Sequence, residues 1–142
     1  MNVLILHGPN LNLLGEREPH IYGRLSLGEL DARLVSRAAE LGMVARCYQS
    51  NHEGSLIDFL HAERKWAQGV LLNAGALTHT SWALHDALSA VALPFVEVHL
   101  SDVQKREAWR HFSVFEANRK AVFSGKGLDS YLDGLAFLAS LR

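Results

Sequence analysis

The sequence contains a single cysteine, Cys47, so no disulfide can form within the chain. It has a net charge of only −1, because 14 lysine and arginine residues are nearly balanced by 15 aspartate and glutamate residues. A chain without a basic surplus lacks the electrostatic signature of nucleic-acid binding or of attachment to an anionic membrane. No apolar run approaches 18 residues and no signal peptide is recognisable, so we expect a cytoplasmic protein.

Several motifs that bind cofactors or carry out catalysis are also missing. Neither G-x-x-x-x-G-K-[ST] nor G-x-G-x-x-G follows the first apolar run, so nucleotide phosphates lack a binding loop. There is no H-E-x-x-H pattern among the eight histidines and no G-x-S-x-G elbow. None of the lysines lies in an apolar run at a strand end, where a Schiff-base enzyme would need it. We therefore expect no metal and no cofactor.

Apolar runs alternate with segments of helical periodicity along the chain. Strands are predicted over residues 3–6, 44–48, 70–72, 95–100 and 121–124. Helices are predicted between them, the first with Ser26 and Glu29 as a capping box, the second ended by Gly69, the third with Trp82 on its inner face. This order predicts one α/β domain over residues 1–142, a flavodoxin-like three-layer sandwich with a five-stranded parallel sheet in the order 2-1-3-4-5.

A long loop after the first predicted strand contains one pair of functional candidates. Residues 8–23 are rich in glycine, proline and asparagine and too many for a tight turn. The loop carries Arg17 and Tyr22. A tyrosine hydroxyl, with a pKa of about 10, is a poor base at neutral pH, but a nearby guanidinium favours the phenolate. The pair predicts a general base, although an incidental surface arginine and tyrosine fits this loop equally well.

Glu97 and His99 form a second pair on the fourth predicted strand. Residues two apart on a strand project from the same face, so the carboxylate can orient the imidazole as a proton donor or acceptor. Taken singly, each residue is more often structural. Further polar groups at the predicted strand ends suit a small, oxygenated anion: Asn10, Asn73, His79, Ser101, Arg106 and Arg110.

Four ordered blocks of sequence resemble the type II 3-dehydroquinate dehydratases. The blocks are residues 8–23, 49–54, 73–81 and 94–111, and they span the chain from the first strand to about Ser113. The resemblance implies a cofactor-free dehydration of 3-dehydroquinate to 3-dehydroshikimate in the shikimate pathway, through an enolate. It also implies trimers that assemble into a dodecamer.

The same resemblance implies a role for each matched residue. Tyr22 matches the general base, Arg17 the group that activates it, Asn10 the residue that positions a water on the enolate, and His99, oriented by Glu97, the general acid. The residues matched to substrate binding are Asn73, His79, Leu100, Ser101 and Arg110, and Asp86, which would reach a neighbouring subunit's site. We place Arg106 with this binding set and expect it to assist Arg17.

The sequence departs from the family pattern over residues 113–127. Charged residues at Glu116, Arg119 and Lys120 replace small apolar residues and glycines there. We expect these charges to alter local packing and assembly and to touch none of the matched catalytic positions. One alternative stays open, a catalytically silent flavodoxin-like module that binds a small molecule or regulates. A silent binder would not need both a base and an acid, and the residues matched to both are intact.

Overall fold

Five parallel strands form one sheet in this computed structural model, which describes residues 1–142. The strands are β1 (Asn2–His7), β2 (Val44–Gln49), β3 (Gly69–Asn73), β4 (Phe95–His99) and β5 (Ala121–Ser124). They pair in the order β2-β1-β3-β4-β5, with every pairing parallel. The predicted sheet order is confirmed.

Helices cover both faces of the sheet. They are α1 (Pro19–Tyr22), α2 (Leu27–Glu40), α3 (Glu53–Glu63), α4 (Trp82–Val91) and α5 (Leu128–Ser140). Short 3₁₀ turns occupy Leu11–Leu13, Gly75–His79, Val103–Lys105 and Ala108–Arg110. Helices α2 and α5 pack on one face, and α3 and α4 pack on the other. No helix has both the length and the apolar character that crossing a bilayer requires.

The unbroken apolar run of β1 follows from burial on both faces. Val3 and Ile5 belong to the core beneath α2 and α5, whereas Leu4 and Leu6 belong to the core beneath α3 and α4. A central parallel strand therefore has no polar face to expose. The helix that follows begins as predicted, because Ser26 accepts from the Glu29 backbone N–H while the Glu29 side chain accepts from the Ser26 backbone.

Two local predictions were wrong. Helix α3 ends at Glu63, and Gly69 is the first residue of β3 rather than a helix stop. A Cβ atom at Gly69 would lie 3.1 Å from Met1 Cε and 3.3 Å from Leu138 Cδ2, so close packing explains the glycine. Trp82 does not face the core, because 57% of it is exposed at the start of α4.

The carboxyl ends of β1, β3 and β4 meet at one edge of the sheet. The chain runs from β1 outward to β2 and then returns to β3 on the other side of β1, so a topological switch point lies between β1 and β3. Ligand crevices in open α/β sheets form at such points. The loops that begin at Gly8, Ala74 and Leu100 therefore surround the candidate site.

Replacement of Gly8 by alanine should destabilise the fold. A Cβ atom there would lie 2.2 Å from the carbonyl oxygen of Ala74 and 2.5 Å from its carbonyl carbon, and backbone atoms cannot rotate away. We expect a loss of about 3 kcal/mol in the free energy of unfolding, measured by urea denaturation. Gly54→Ala is the matched control, because a Cβ atom there meets nothing within 4 Å and α3 should gain about 0.5–1 kcal/mol. Equal stability of the Gly8 variant and the wild type would contradict the clash.

Candidate active site

Tyr22, the last residue of α1, lies between two guanidinium groups. Arg17 Nη2 donates to the Tyr22 hydroxyl oxygen at 3.0 Å, and Arg106 Nη1 donates to it at 2.6 Å. The guanidinium carbons lie 4.3 Å and 5.1 Å from the centre of the ring. Charged donors on both sides of one oxygen stabilise negative charge on it. The arrangement is therefore suited to a phenolate.

His99 and Glu97 form a buried pair at the end of β4. Nε2 of His99 lies 2.6 Å from Oε2 of Glu97, and the two residues are 6% and 2% exposed. Burial raises the pKa of Glu97, but hydrogen bonds and charge from His99, with further hydrogen bonds from Ser113 and Arg119, outweigh it and hold the pKa below its usual value. Glu97 is therefore a carboxylate at neutral pH and holds the imidazole through Nε2.

Arg119 contacts this pair, so one expectation from the sequence was wrong. Its Nη1 donates to Oε1 of Glu97 at 2.9 Å, and the Ser113 hydroxyl donates to the same oxygen at 2.7 Å. Both residues belong to the segment whose charges we expected to leave the matched positions untouched. The contact forms because β5 pairs with β4, with Glu97 opposite Val122, and this brings the chain just before β5 alongside Glu97.

Arg17, Tyr22 and His99 line one cavity of ~80 Å³. Of the residues predicted for the site, the cavity wall contains Asn10, Arg17, Tyr22, Asn73, His79, His99, Leu100, Ser101, Arg106 and Arg110. Glu97 lies behind His99 and does not line it. A larger cavity of ~340 Å³ shares Tyr22 and Arg106 but lacks His99. The candidate base and acid therefore meet only in the smaller cavity.

Asp86 is absent from this cavity. It is exposed on α4, and no cavity described in this chain includes it. Within one subunit, the structure does not bring Asp86 to the other predicted site residues.

His79 and Arg110 have part of their hydrogen-bonding capacity committed to the protein. Nδ1 of His79 lies 2.6 Å from the Phe112 carbonyl, and since a carbonyl only accepts, Nδ1 carries the proton. Burial lowers the pKa of His79, so at neutral pH its Nε2 is an acceptor. Nε of Arg110 donates to Glu107 at 2.7 Å, which leaves the terminal nitrogens for an anionic ligand.

A buried chain of hydrogen bonds fixes Asn73 from behind. Nδ2 of Asn73 donates to the Tyr131 hydroxyl at 3.0 Å. The same hydroxyl lies 3.0 Å from Nδ1 of His7. Burial raises the pKa of Tyr131, so the hydroxyl stays protonated and donates a hydrogen bond to Nδ1 of His7. His7 Nε2 then donates to Oδ1 of Asp31 at 2.7 Å. The spacing of residues 7, 31, 73 and 131 follows no motif, so nothing in the sequence points to this network.

Cys47 lies beside the same network and makes a possible metal-ligand group with His7 and Asp31. Their ligand atoms lie within 4.8 Å of one another. The 2.7 Å separation between His7 and Asp31 is shorter than the roughly 3.3 Å between two ligands of a tetrahedral zinc ion. Burial, with the nearby Asp31, raises the pKa of Cys47 to about 12, which disfavours the thiolate that binds metals. The geometry favours a hydrogen-bonded cluster.

The fold and the site together define a flavodoxin-like α/β protein in which a tyrosine–arginine pair faces a histidine–glutamate pair across one cavity. The family model for dehydroquinase class II matches residues 1–139. This chain belongs to the class II dehydroquinase family.

Individual relatives agree with this assignment over nearly the whole chain. A 3-dehydroquinate dehydratase of Gloeothece citriformis is 52% identical over 134 residues, which are 94% of this chain and 88% of that protein. A catabolic 3-dehydroquinase of Aspergillus oryzae is 47% identical over 92% of this chain and 85% of its own. The crystal structure of the type II dehydroquinase from Butyrivibrio crossotus superposes with a TM-score of 0.94 at 38% identity, covering 97% of both chains.

Proposed function

We propose that this chain is a hydro-lyase that dehydrates 3-dehydroquinate to 3-dehydroshikimate, the reaction of the shikimate pathway. The observation that carries the proposal is the shared cavity. A tyrosine hydroxyl between two guanidinium groups and a carboxylate-bound histidine line it together, in a chain of the class II dehydroquinase family. We further propose that residues 1–142 form one catalytic domain and that the protein works in the cytoplasm.

In the first step, Tyr22 removes a proton from the carbon next to the substrate ketone. The Arg17 and Arg106 donors stabilise the phenolate that takes the proton. The electron pair moves to the ketone oxygen and forms an enolate, and Asn10 positions a water that donates to this oxygen. Asn10 suits this task because it lines the same cavity as Tyr22 and His99.

In the second step, the enolate collapses and the hydroxyl leaves from the neighbouring carbon. His99 gives its proton to that hydroxyl, which departs as water. Nδ1 is the nitrogen of His99 that serves this step, because Nε2 is bound to Glu97. The carboxylate keeps the ring in one orientation and stabilises the imidazolium before the transfer.

The remaining cavity groups hold the substrate. Arg110 offers its terminal nitrogens to the carboxylate, and Nε2 of His79 accepts from a hydroxyl. Asn73 and the Leu100–Ser101 backbone bind further hydroxyls. A cavity of ~80 Å³ is smaller than the roughly 300 Å³ or more of ordinary ligand pockets. The loop that carries Arg17 and Tyr22 therefore moves outward to admit the substrate and closes over it.

The proposal is tested by adding 3-dehydroquinate to the purified protein and following the absorbance of the conjugated enone product. We expect product formation without added metal or cofactor. Borohydride added with the substrate should leave the enzyme active, because no lysine lines the cavity and no imine forms. Tight binding of the substrate without any enone would favour the silent binding module instead, and borohydride inactivation with a labelled lysine would contradict the enolate mechanism.

We also propose that the chain assembles as trimers, which build a dodecamer, and that Asp86 completes the site of a neighbouring subunit. Asp86 is exposed and lies away from the cavity of its own chain. Asp86→Ala should therefore raise KM or lower kcat about tenfold without loss of fold, whereas Asp58→Ala on α3 serves as the exposed control. Sedimentation velocity with parallel assays tests the assembly, and fully active monomers would contradict it.

A further inference from the structure

Arg119 is a charged group in direct contact with Glu97, and the family resemblance gives it no role. We propose that Arg119 is a positioning residue that binds Oε1 of Glu97, fixes the carboxylate that orients His99, and favours transfer of the proton from His99 to the departing hydroxyl. This inference rests on the proposed function and deepens it.

The hydrogen bonds of Glu97 leave its carboxylate no freedom to turn. Oε2 is bound to His99 at 2.6 Å, and Oε1 accepts from Arg119 at 2.9 Å and from Ser113 at 2.7 Å. Glu97 is 2% exposed, so nearly all of the side chain is enclosed by protein groups. A carboxylate held at both oxygens transmits its orientation to the imidazole.

The charge of Arg119 changes the sum of charges at the pair. Glu97, His99 and Arg119 together have no net charge when His99 is neutral and one positive charge when His99 is protonated. Without Arg119, Glu97 and His99 together have one negative charge when His99 is neutral and no net charge when His99 is protonated. The protonated state is therefore less stable with Arg119 present, and transfer of the proton to the leaving hydroxyl is easier.

Other charged and titratable groups face the pair from the elements packed around it. They are Arg17, Tyr22, His79, Arg106 and Arg110 on the substrate side, and His111, Glu116 and Arg119 on the opposite side. Arg119 is the one among them with a direct hydrogen bond to Glu97. Its removal should consequently affect the pair more than a change at any of the others.

A third cavity gives solution access to this contact. It has a volume of ~250 Å³ and is lined by Glu97, His99, Ser113 and Arg119. Thr78 also lines it, and the Thr78 hydroxyl is buried without a hydrogen-bond partner. The polar wall suits water or a small hydrophilic cation. Truncation of Arg119 would enlarge this cavity beside the carboxylate, so a free guanidinium ion could take the place of the lost side chain.

The experiment compares Arg119→Ala, Arg119→Lys and Arg119→Gln with the wild type in the dehydration assay. We expect Arg119→Ala to lower kcat about tenfold with little change in KM, and Arg119→Lys to recover part of the loss. The kcat–pH profile of Arg119→Ala and Arg119→Gln should move to higher pH, because the pair binds its protons more tightly once the cation is gone. Millimolar guanidinium should raise kcat of Arg119→Ala and leave the wild type unchanged.

Lys120→Ala is the matched control, since Lys120 is the next residue, carries the same charge and does not line the cavity behind Glu97. It should behave as the wild type. Arg119→Gln keeps an N–H donor, so it remains informative if the alanine variant fails to fold. Wild-type kcat and pH profile in both neutral variants would overturn the inference, as would a loss of kcat with neither a moved profile nor guanidinium rescue.

One readout does not depend on activity. Carbon-13 NMR of the Glu97 carboxyl group should show a pKa below its usual value in the wild type and a higher pKa in Arg119→Gln. An unchanged Glu97 titration would overturn the inference even in an active enzyme. A wild type that fails to dehydrate 3-dehydroquinate would overturn the proposed function, whereas the Glu97 titration would still decide whether Arg119 acts on this carboxylate.

Discussion

Tyr22→Phe lowers kcat by about 10²–10⁴-fold while the protein stays folded. The substitution removes one oxygen atom, and that oxygen is the point at which Arg17 and Arg106 converge, at 3.0 Å and 2.6 Å. Without it, the cavity lacks the oxygen that takes the proton next to the ketone. The phenyl ring keeps its contacts with the core beneath α2, so affinity for a substrate analogue should change much less than kcat.

The control for this experiment is Tyr48→Phe, which also removes a single hydroxyl. Tyr48 stacks on Phe59 with ring centres 4.3 Å apart, on the opposite face of the sheet and outside the cavity. Steady-state assays and isothermal titration with an analogue separate kcat from binding. If Tyr22→Phe turned over at the rate of Tyr48→Phe, Tyr22 would not be the base.

His99→Ala is the second change with a large expected effect, again a loss of about 10²–10⁴-fold in kcat. The hydroxyl leaves poorly without a proton, and His99 is the histidine that both lines the cavity and is held by a carboxylate. Truncation leaves Glu97 buried with Arg119 and Ser113 as its partners, so the carboxylate remains paired and the variant should fold. Near-normal turnover would assign the acid step to another group.

A histidine far from the cavity gives the control for this variant. His61 is exposed near the end of α3, and His61→Ala should keep wild-type kcat. Substrates with a better leaving group in place of the hydroxyl should recover part of the activity of His99→Ala and none of that of Tyr22→Phe. This contrast separates the acid from the base, because only the acid acts on the departing group.

Patterns confined to neighbouring residues were predictable from the sequence. The capping box of Ser26 and Glu29, the apolar strands and their order all depend on local periodicity and on the handedness of crossovers, and all are confirmed. Gly69 was misread because a glycine that ends a helix and a glycine that permits close packing look alike in sequence. Only the approach of Met1 and Leu138, both far along the chain, distinguishes them.

Contacts between distant segments were beyond sequence reasoning. Arg119 is 22 residues from Glu97, and the bond between them depends on how β5 pairs with β4. The same holds for His7, which is enclosed by Asp31 and Tyr131 from two different helices. By contrast, the cavity residues were named in advance because the family resemblance already encodes their positions in space. Their catalytic roles stay predictions.

The raised pKa of Cys47 allows the loop that carries Arg17 and Tyr22 to be labelled selectively with a dye. Because burial raises the pKa of Cys47 to about 12, its thiolate fraction at neutral pH is far below that of an exposed cysteine, whose pKa is about 8.5. A cysteine introduced at the exposed Glu18 would therefore react with a maleimide fluorophore much faster than Cys47 does. The native background needs no removal, and a single dye beside α1 would report opening and closing of the loop in real time.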